Sequence, residues 1–186
     1  MLASASPQRR AILERIGVPF TVRAPRVREL TRGEPEHVAA TNALRKARAA
    51  SRAVAEEVVL GCDTLVCLDG AIHGKPANAS AARRTLRALS GATHEVLSGL
   101  VLLVGGEERS AIARTQVTFR ELGEGVLEWY LATGEWRGRA GGYAIQGAGA
   151  ALVRCVRGDY ENVVGLPLGM LLEMCPQLLG RKTDVR

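Results

Sequence analysis

Lysine is scarce in a strongly basic chain. Of 25 basic residues only Lys46, Lys75 and Lys182 are lysines, while the net charge is +6. Lysine is a compact point charge and arginine a planar fork, so the two are not interchangeable at an anion site. Aromatic residues make up only 4%, too few for a surface that stacks unpaired bases. The three histidines, His37, His73 and His94, lack metal-ligand spacing, and each is expected to be structural. The four cysteines, Cys62, Cys67, Cys155 and Cys175, form no CxxC pair, which argues against a zinc site. They read as reduced thiols, mostly buried, with Cys62 and Cys67 on opposite faces of one strand. No apolar run approaches the ~18 residues of a membrane span. No basic-then-apolar leader opens the chain, so a cytoplasmic location without a secretion signal is expected. No GxxxxGK[ST] occurs, which excludes a P-loop.

What is present suits one domain over residues 1–186, long enough to bury a core without staples. Hydrophobic residues are 47% and charged residues 24%, in the globular range. The basic balance favours polyanions or small anions such as nucleotides.

Leu2-Ala3 reads as the end of a short first strand. Ser6 is a candidate N-cap with Pro7 at the first helical position. Ile12, Leu13 and Ile16 share a helical face, and Gly17 can end that helix. The segment Ser4 to Arg10, SASPQRR, is therefore a strand-to-helix turn with free N–H groups for an anion. Glu34 to about Ala53 is a helix with Val38, Ala43, Leu44 and Ala47 as its stripe. A buried strand runs from Val58 to Leu68, and Asp69-Gly70 is a hairpin turn. Helices are expected over 79–89, capped by Asn78 or Ser80, over 125–133, and from about Leu168. Strands are expected over 95–104, 110–120 and 151–156, with a glycine-rich run at 139–149. Helices interleaved with hairpins predict an α/β fold with a mixed, twisted sheet.

Asp63 is a carboxylate inside the apolar run VVLGCDTLVCL. A buried charge is costly unless paired or bound to metal. Asp63 is either a strand-end carboxylate satisfied by backbone N–H groups or a metal ligand or general base. Thr64 lies on the opposite face. The hairpin brings Lys75 back towards the Asp63 end of the strand, as an ion-pair partner or as a phosphate clamp. With the Ser4–Arg10 turn these residues supply the parts of phosphoryl or nucleotidyl chemistry. Gln146, in GYAIQG, can read a base edge or satisfy its own loop. Arg83, Arg84 and Arg87 read as a solvated helix face rather than a nucleic-acid patch.

These motifs resemble the Maf-like nucleoside triphosphate pyrophosphatases nearly end to end. The resemblance runs through LASASPQRR, LGCDTLVCLDGAIHGKP, LRALSGATHEVLSGL, TQVTF, AGGYAIQGAGA and GDYENVVGLPL. It implies an α/β fold with a cleft between two lobes, related to the inosine triphosphate pyrophosphatases. It implies a hydrolase acting on phosphoric anhydrides, converting a nucleoside triphosphate and water to the monophosphate and diphosphate with Mg2+ or Mn2+. Carried over by motif, Asp63 is the proton acceptor. Ser4, Arg9, Lys46 and Lys75 hold phosphate, and Glu29 joins Asp63 in holding metal or water. Thr64, Gln146 and Gln8 stand at positions linked to base choice. Thr64 and Gln146 fit the subgroup that prefers dTTP and UTP, in which the position of Gln8 is an arginine, so the resemblance implies dTTP/UTP or modified nucleotides as substrates. The resemblance is compatible with a homodimer and with a house-cleaning or division-arrest role, and implies no nucleic-acid or membrane partner. Two alternatives are also compatible with the sequence: a nucleotide-binding regulator with weak catalysis, and a basic nucleic-acid-binding protein.

Overall fold

Asp69 and Gly70 both adopt left-handed backbone, φ 49° and 77°, as a two-residue hairpin turn requires. They fix the register of the sheet in the computed structural model, which describes residues 1–52 and 57–179. In chain order the helices are α1 (Pro7–Arg15), α2 (Pro35–Ala50), α3 (Ala79–Leu89), α4 (Glu124–Thr133), α5 (Tyr160–Val164) and α6 (Leu168–Met174). The strands are β1 (Val58–Leu68), β2 (Ala71–His73), β3 (Thr93–Val104), β4 (Glu107–Phe119) and β5 (Val153–Arg157). Ala53, the expected end of the second helix, and Lys182 lie outside the described residues. The helix itself ends at Ala50.

Local chemistry accounts for the helix starts. The Ser6 hydroxyl accepts from Arg9 N, and Pro7 follows at the first helical position. The Glu34 carboxylate accepts from the N–H groups of Glu36 and His37. Of the two candidates for α3, Asn78 caps it, accepting from Ala81 N.

The five strands form one sheet in the order β2-β1-β3-β4-β5, and all four neighbouring pairs are antiparallel. The expected mixed sheet is thus an antiparallel one. Among the described residues its parallel character is confined to isolated bridges from Leu2 to Leu60 and Val22. Gly105 and Gly106, φ 57° and 87°, turn the chain within two residues, so β4 begins at Glu107 and not at Ser110 as expected. The last strand begins at Val153, because Ala148–Leu152 winds into a 3-10 turn.

Alternation along β1 sorts its side chains between the two faces of the sheet. On one face Leu60 and Cys62 pack with Leu2, Ile12, Leu13 and Leu171. Farther along that face Val66 joins Leu86, Leu127, Tyr130 and Tyr143 in a second core. Thr64 lies between them. On the other face α2 packs against β1 and β3, burying Ala43 and Ala47 with Val59 and Val101. Its small residues permit a close approach. A Cβ on Gly61 or Gly99 would run into the carbonyl oxygens of Ala43 and Ala39. An apolar pocket of about 420 Å³ opens near Leu2, lined by Leu13, Phe20, Leu102 and Leu171 among others. None of the candidate site residues lines it.

Candidate active site

Asp63 sits in the middle of β1 and faces α2. It is 7% exposed, and both its oxygens are engaged. Lys46 Nζ lies 2.6 Å from Oδ1, and Asn42 Nδ2 donates to Oδ2 at 2.9 Å. Lys46 also contacts Glu29 Oε1 at 2.8 Å. One ammonium therefore bridges two carboxylates. A carboxylate offers about four lone-pair sites, so Asp63 keeps acceptor capacity beyond these two bonds. Burial pushes the Glu29 carboxyl up, but the hydrogen bond and charge of Lys46, with the charges of Lys75 and Arg9, outweigh it. Its pKa lies below the usual value.

Asn42 was not among the sequence candidates. It is fully buried and makes three hydrogen bonds. Besides donating to Asp63, its Nδ2 donates to Leu30 O at 3.0 Å, and its Oδ1 accepts from Leu30 N at 2.8 Å. The amide thereby fastens the loop carrying Glu29 to the strand carrying Asp63. Its one sequence signal is its place four residues before Lys46, on the same helical face.

On the other face of β1 the first turn is closed around Arg9. This guanidinium is 7% exposed. Nε donates to Gly165 O at 2.8 Å, one terminal nitrogen to Ser4 Oγ at 2.9 Å and the other to Thr64 Oγ1 at 3.1 Å. All three acceptors are neutral. Thr64 also shares a 2.8 Å hydrogen bond with Ser98 Oγ and donates to Gly165 O at 3.2 Å. The Gly165 carbonyl, immediately after α5, thus ties the end of that helix to the anion turn. Asn162, within α5, is buried and donates to Val96 O and Thr115 Oγ1, which anchors the helix to β3 and β4. Gln8 accepts from the Ser6 hydroxyl at 3.1 Å, so its amide braces the helix cap.

Lys75 follows β2, is exposed, and makes no ion pair among the described residues. The glycine-rich loop docks beside it. Gly141 N donates to Gly74 O at 3.3 Å, and Gly142 lies against Pro76. Gln146 is exposed on that loop, with no hydrogen bond among the described residues. The geometry thus gathers Glu29, Lys46 and Asp63 in one cluster and Ser4, Arg9 and Thr64 in another. Gln146 belongs to neither.

The remaining sequence candidates have other partners. His94 is buried against Phe119 and Tyr143, and its Nε2 shares a 2.9 Å hydrogen bond with the Tyr143 hydroxyl. His73 is half-buried, whereas His37 is exposed. Arg83 and Arg87 pair with Glu124 of α4, so this face of α3 is salt-bridged to its neighbour. Cys62, Cys67 and Cys175 are buried free thiols, and Cys155 is exposed.

No group of three or more His, Cys, Asp or Glu side chains placed to hold a metal occurs among the described residues. The donor set is two carboxylates, Glu29 and Asp63, each within 2.8 Å of one ammonium nitrogen. Carboxylate oxygens are the ligands a hard divalent cation takes. Mg2+ characteristically uses one or two protein carboxylates and takes its other ligands from phosphate and water.

The family model described as "Maf-like protein" matches residues 1–178. The chain belongs to the Maf-like family. Among similar proteins, the dTTP/UTP pyrophosphatase of Symbiobacterium thermophilum is 44% identical, over 95% of this chain and 92% of the relative. That of Moorella thermoacetica is 46% identical, over 94% and 92%. That of Pyrococcus furiosus is 41% identical, over 94% and 92%. The α/β fold expected from the sequence is the fold found. No helix among the described residues is long and apolar enough to cross a membrane.

Proposed function

We propose that this Maf-like protein is a nucleoside triphosphate pyrophosphatase, hydrolysing its substrate to the monophosphate and diphosphate, with dTTP and UTP as preferred substrates. The observation that carries the reading is the buried Asp63 carboxylate, held between Lys46 and Asn42 beside Glu29. Relatives 41–47% identical that bear the name dTTP/UTP pyrophosphatase support the choice of reaction and base.

Asp63 accepts a proton from water as the water oxygen attacks the α-phosphorus. The new P–O bond forms as the bond to the α–β bridging oxygen breaks, and that oxygen leaves with the diphosphate. A positioned base of this kind contributes about 10²–10⁴-fold. Lys46 keeps the Asp63 oxygen directed while balancing the charge of Glu29. Lys75 is free to approach phosphate. Arg9, whose partners are all neutral oxygens, keeps its full charge for an anion in the Ser4 turn. Glu29 and Asp63 would hold a divalent cation, Mg2+ or Mn2+, which when bound offsets charge on the phosphates. Thr64 acts on substrate through Arg9, whose guanidinium it holds. Gln8 braces the helix cap and supplies no charge where an arginine would. Gln146 is available to a base as the glycine-rich loop meets the nucleotide.

The test is diphosphate release from dTTP, UTP, CTP and GTP in Mg2+ or Mn2+. Faster release from dTTP and UTP than from the other two is the expected result. Equal rates across the panel would overturn the preference for dTTP and UTP and leave the reaction class standing. Absence of release from every triphosphate by folded protein would overturn the reading.

A further inference from the structure

Arg28, Arg32 and Arg45 line one cleft of about 410 Å³ together with Glu29, Leu30 and Thr31. None of the three guanidinium groups forms an ion pair among the described residues. Elsewhere on the surface arginines do: Arg10 with Glu14, Arg48 with Glu108, Arg87 with Glu124. Arg45 is held in place, one terminal nitrogen donating to Arg28 O at 2.9 Å. It precedes Lys46 on α2, and Asn42 pins the adjoining loop to the same helix. The one carboxylate of the cleft, Glu29, is bonded to Lys46. The cleft is therefore a set of unpaired cations that shares a wall with the Asp63 cluster.

Charge balance indicates what it holds. Arg9, Lys46 and Lys75 oppose Glu29 and Asp63, which leaves one net positive charge among these five side chains. A terminal phosphoryl group alone carries about −1.5 to −2 at pH 7. A divalent cation at Glu29 and Asp63 would raise the sum over these side chains to +3, which a triphosphate, with one further negative charge on each of its two inner phosphoryl groups, still exceeds. Three more arginines reverse the deficit, and the guanidinium fork suits phosphate oxygens.

We propose that the Arg28–Arg32–Arg45 cleft is an anion subsite for the phosphoryl groups beyond the scissile bond, and that it accepts a linear phosphate chain with or without a nucleoside. This rests on the pyrophosphatase reading for its substrate, but its binding chemistry is tested separately. The probe is inorganic tripolyphosphate, titrated calorimetrically into the full chain in the presence of a chelator. Two variants are compared with wild type. R28Q/R32Q removes two cations of the cleft, and R84Q removes an exposed arginine of α3. R28Q/R32Q is expected to bind tripolyphosphate at least about tenfold more weakly, with R84Q unchanged. Affinity for dTMP, which lacks the distal phosphates, should not move in either variant. Equal tripolyphosphate affinity in wild type and R28Q/R32Q would overturn the proposal, as would equal weakening by R84Q. If the wild-type protein hydrolyses no triphosphate yet tripolyphosphate binding still depends on Arg28 and Arg32, the subsite stands and the pyrophosphatase reading falls. If dTTP is hydrolysed and tripolyphosphate binding ignores these arginines, the subsite falls alone.

Discussion

The side-chain amide of Asn42 donates to Asp63 Oδ2 at 2.9 Å while both its polar atoms bond the backbone of Leu30. One neutral side chain thus joins helix, strand and loop, and sets the distance between the two carboxylates of the site. Asn42→Ala leaves the half-buried N–H and C=O of Leu30 and one buried Asp63 oxygen short of a partner. The loss at the buried carboxylate costs about 1–3 kcal/mol, and misplacing a reacting group by about 1 Å can cost about 100-fold in rate. Asn42→Ala is expected to lower both the denaturant midpoint and kcat. Asn42→Asp, which sets a second carboxylate against Asp63, should lower kcat further. Denaturation curves and steady-state turnover of the two variants check this order.

The seating of α2 makes a second prediction. Gly99 and Gly61 meet the helix backbone directly, so an added methyl group must push α2 away from the sheet. That helix carries both Asn42 and Lys46. Gly99→Ala is expected to destabilise by about 1–3 kcal/mol, as overpacking does, and to reduce turnover although residue 99 touches no substrate. Gly125→Ala on α4, where nothing lies within 4 Å of an added Cβ, should be neutral or stabilising by about 0.5–1 kcal/mol. Thermal melts and turnover of both variants separate the two cases.

Acid sensitivity follows from His94. Burial lowers its pKa from 6.5 to about 4, with a smaller contribution from the charge of His73. The unfolded chain therefore takes up this proton first as pH falls. The stabilisation is fully present above pH 6.5 and is lost progressively between 6.5 and about 4. A shift of this size corresponds to roughly 3 kcal/mol. His94→Phe lowers stability by removing the bond to Tyr143, but its denaturation midpoint should lose most of the slope across that window. A wild-type slope retained in His94→Phe would locate the acid sensitivity elsewhere.

Much of this was legible in the sequence. The Asp-Gly turn fixed the first hairpin, and the apolar run around Asp63 marked both a buried strand and its one costly charge. Ser6-Pro7 marked the start of the first helix. Asn42 was not legible, because a single Asn in an alanine-rich helix carries no sign of what its side chain reaches. Glu107 to Arg109 read as loop because three polar residues hide a strand. The tight Gly105-Gly106 turn starts pairing at once, and Glu107, Glu108 and Arg109 pair with Val104, Leu103 and Leu102. The antiparallel order also escaped the reading, since helical segments between strands suit either sheet direction. Thr64 was placed on the face opposite Asp63 by alternation alone, but its bond to Arg9 depends on how α1 and α5 fold over the strand.

The most direct test of the account is diphosphate release from dTTP by wild-type protein and by Asp63→Asn, side by side with thermal melts. Asn keeps the size of Asp63 and leaves the Lys46–Glu29 pair in place. A folded Asp63→Asn protein whose turnover has fallen by about 10²–10⁴-fold is the predicted result. Turnover equal to wild type in that folded variant would contradict the assignment of Asp63 as the proton acceptor.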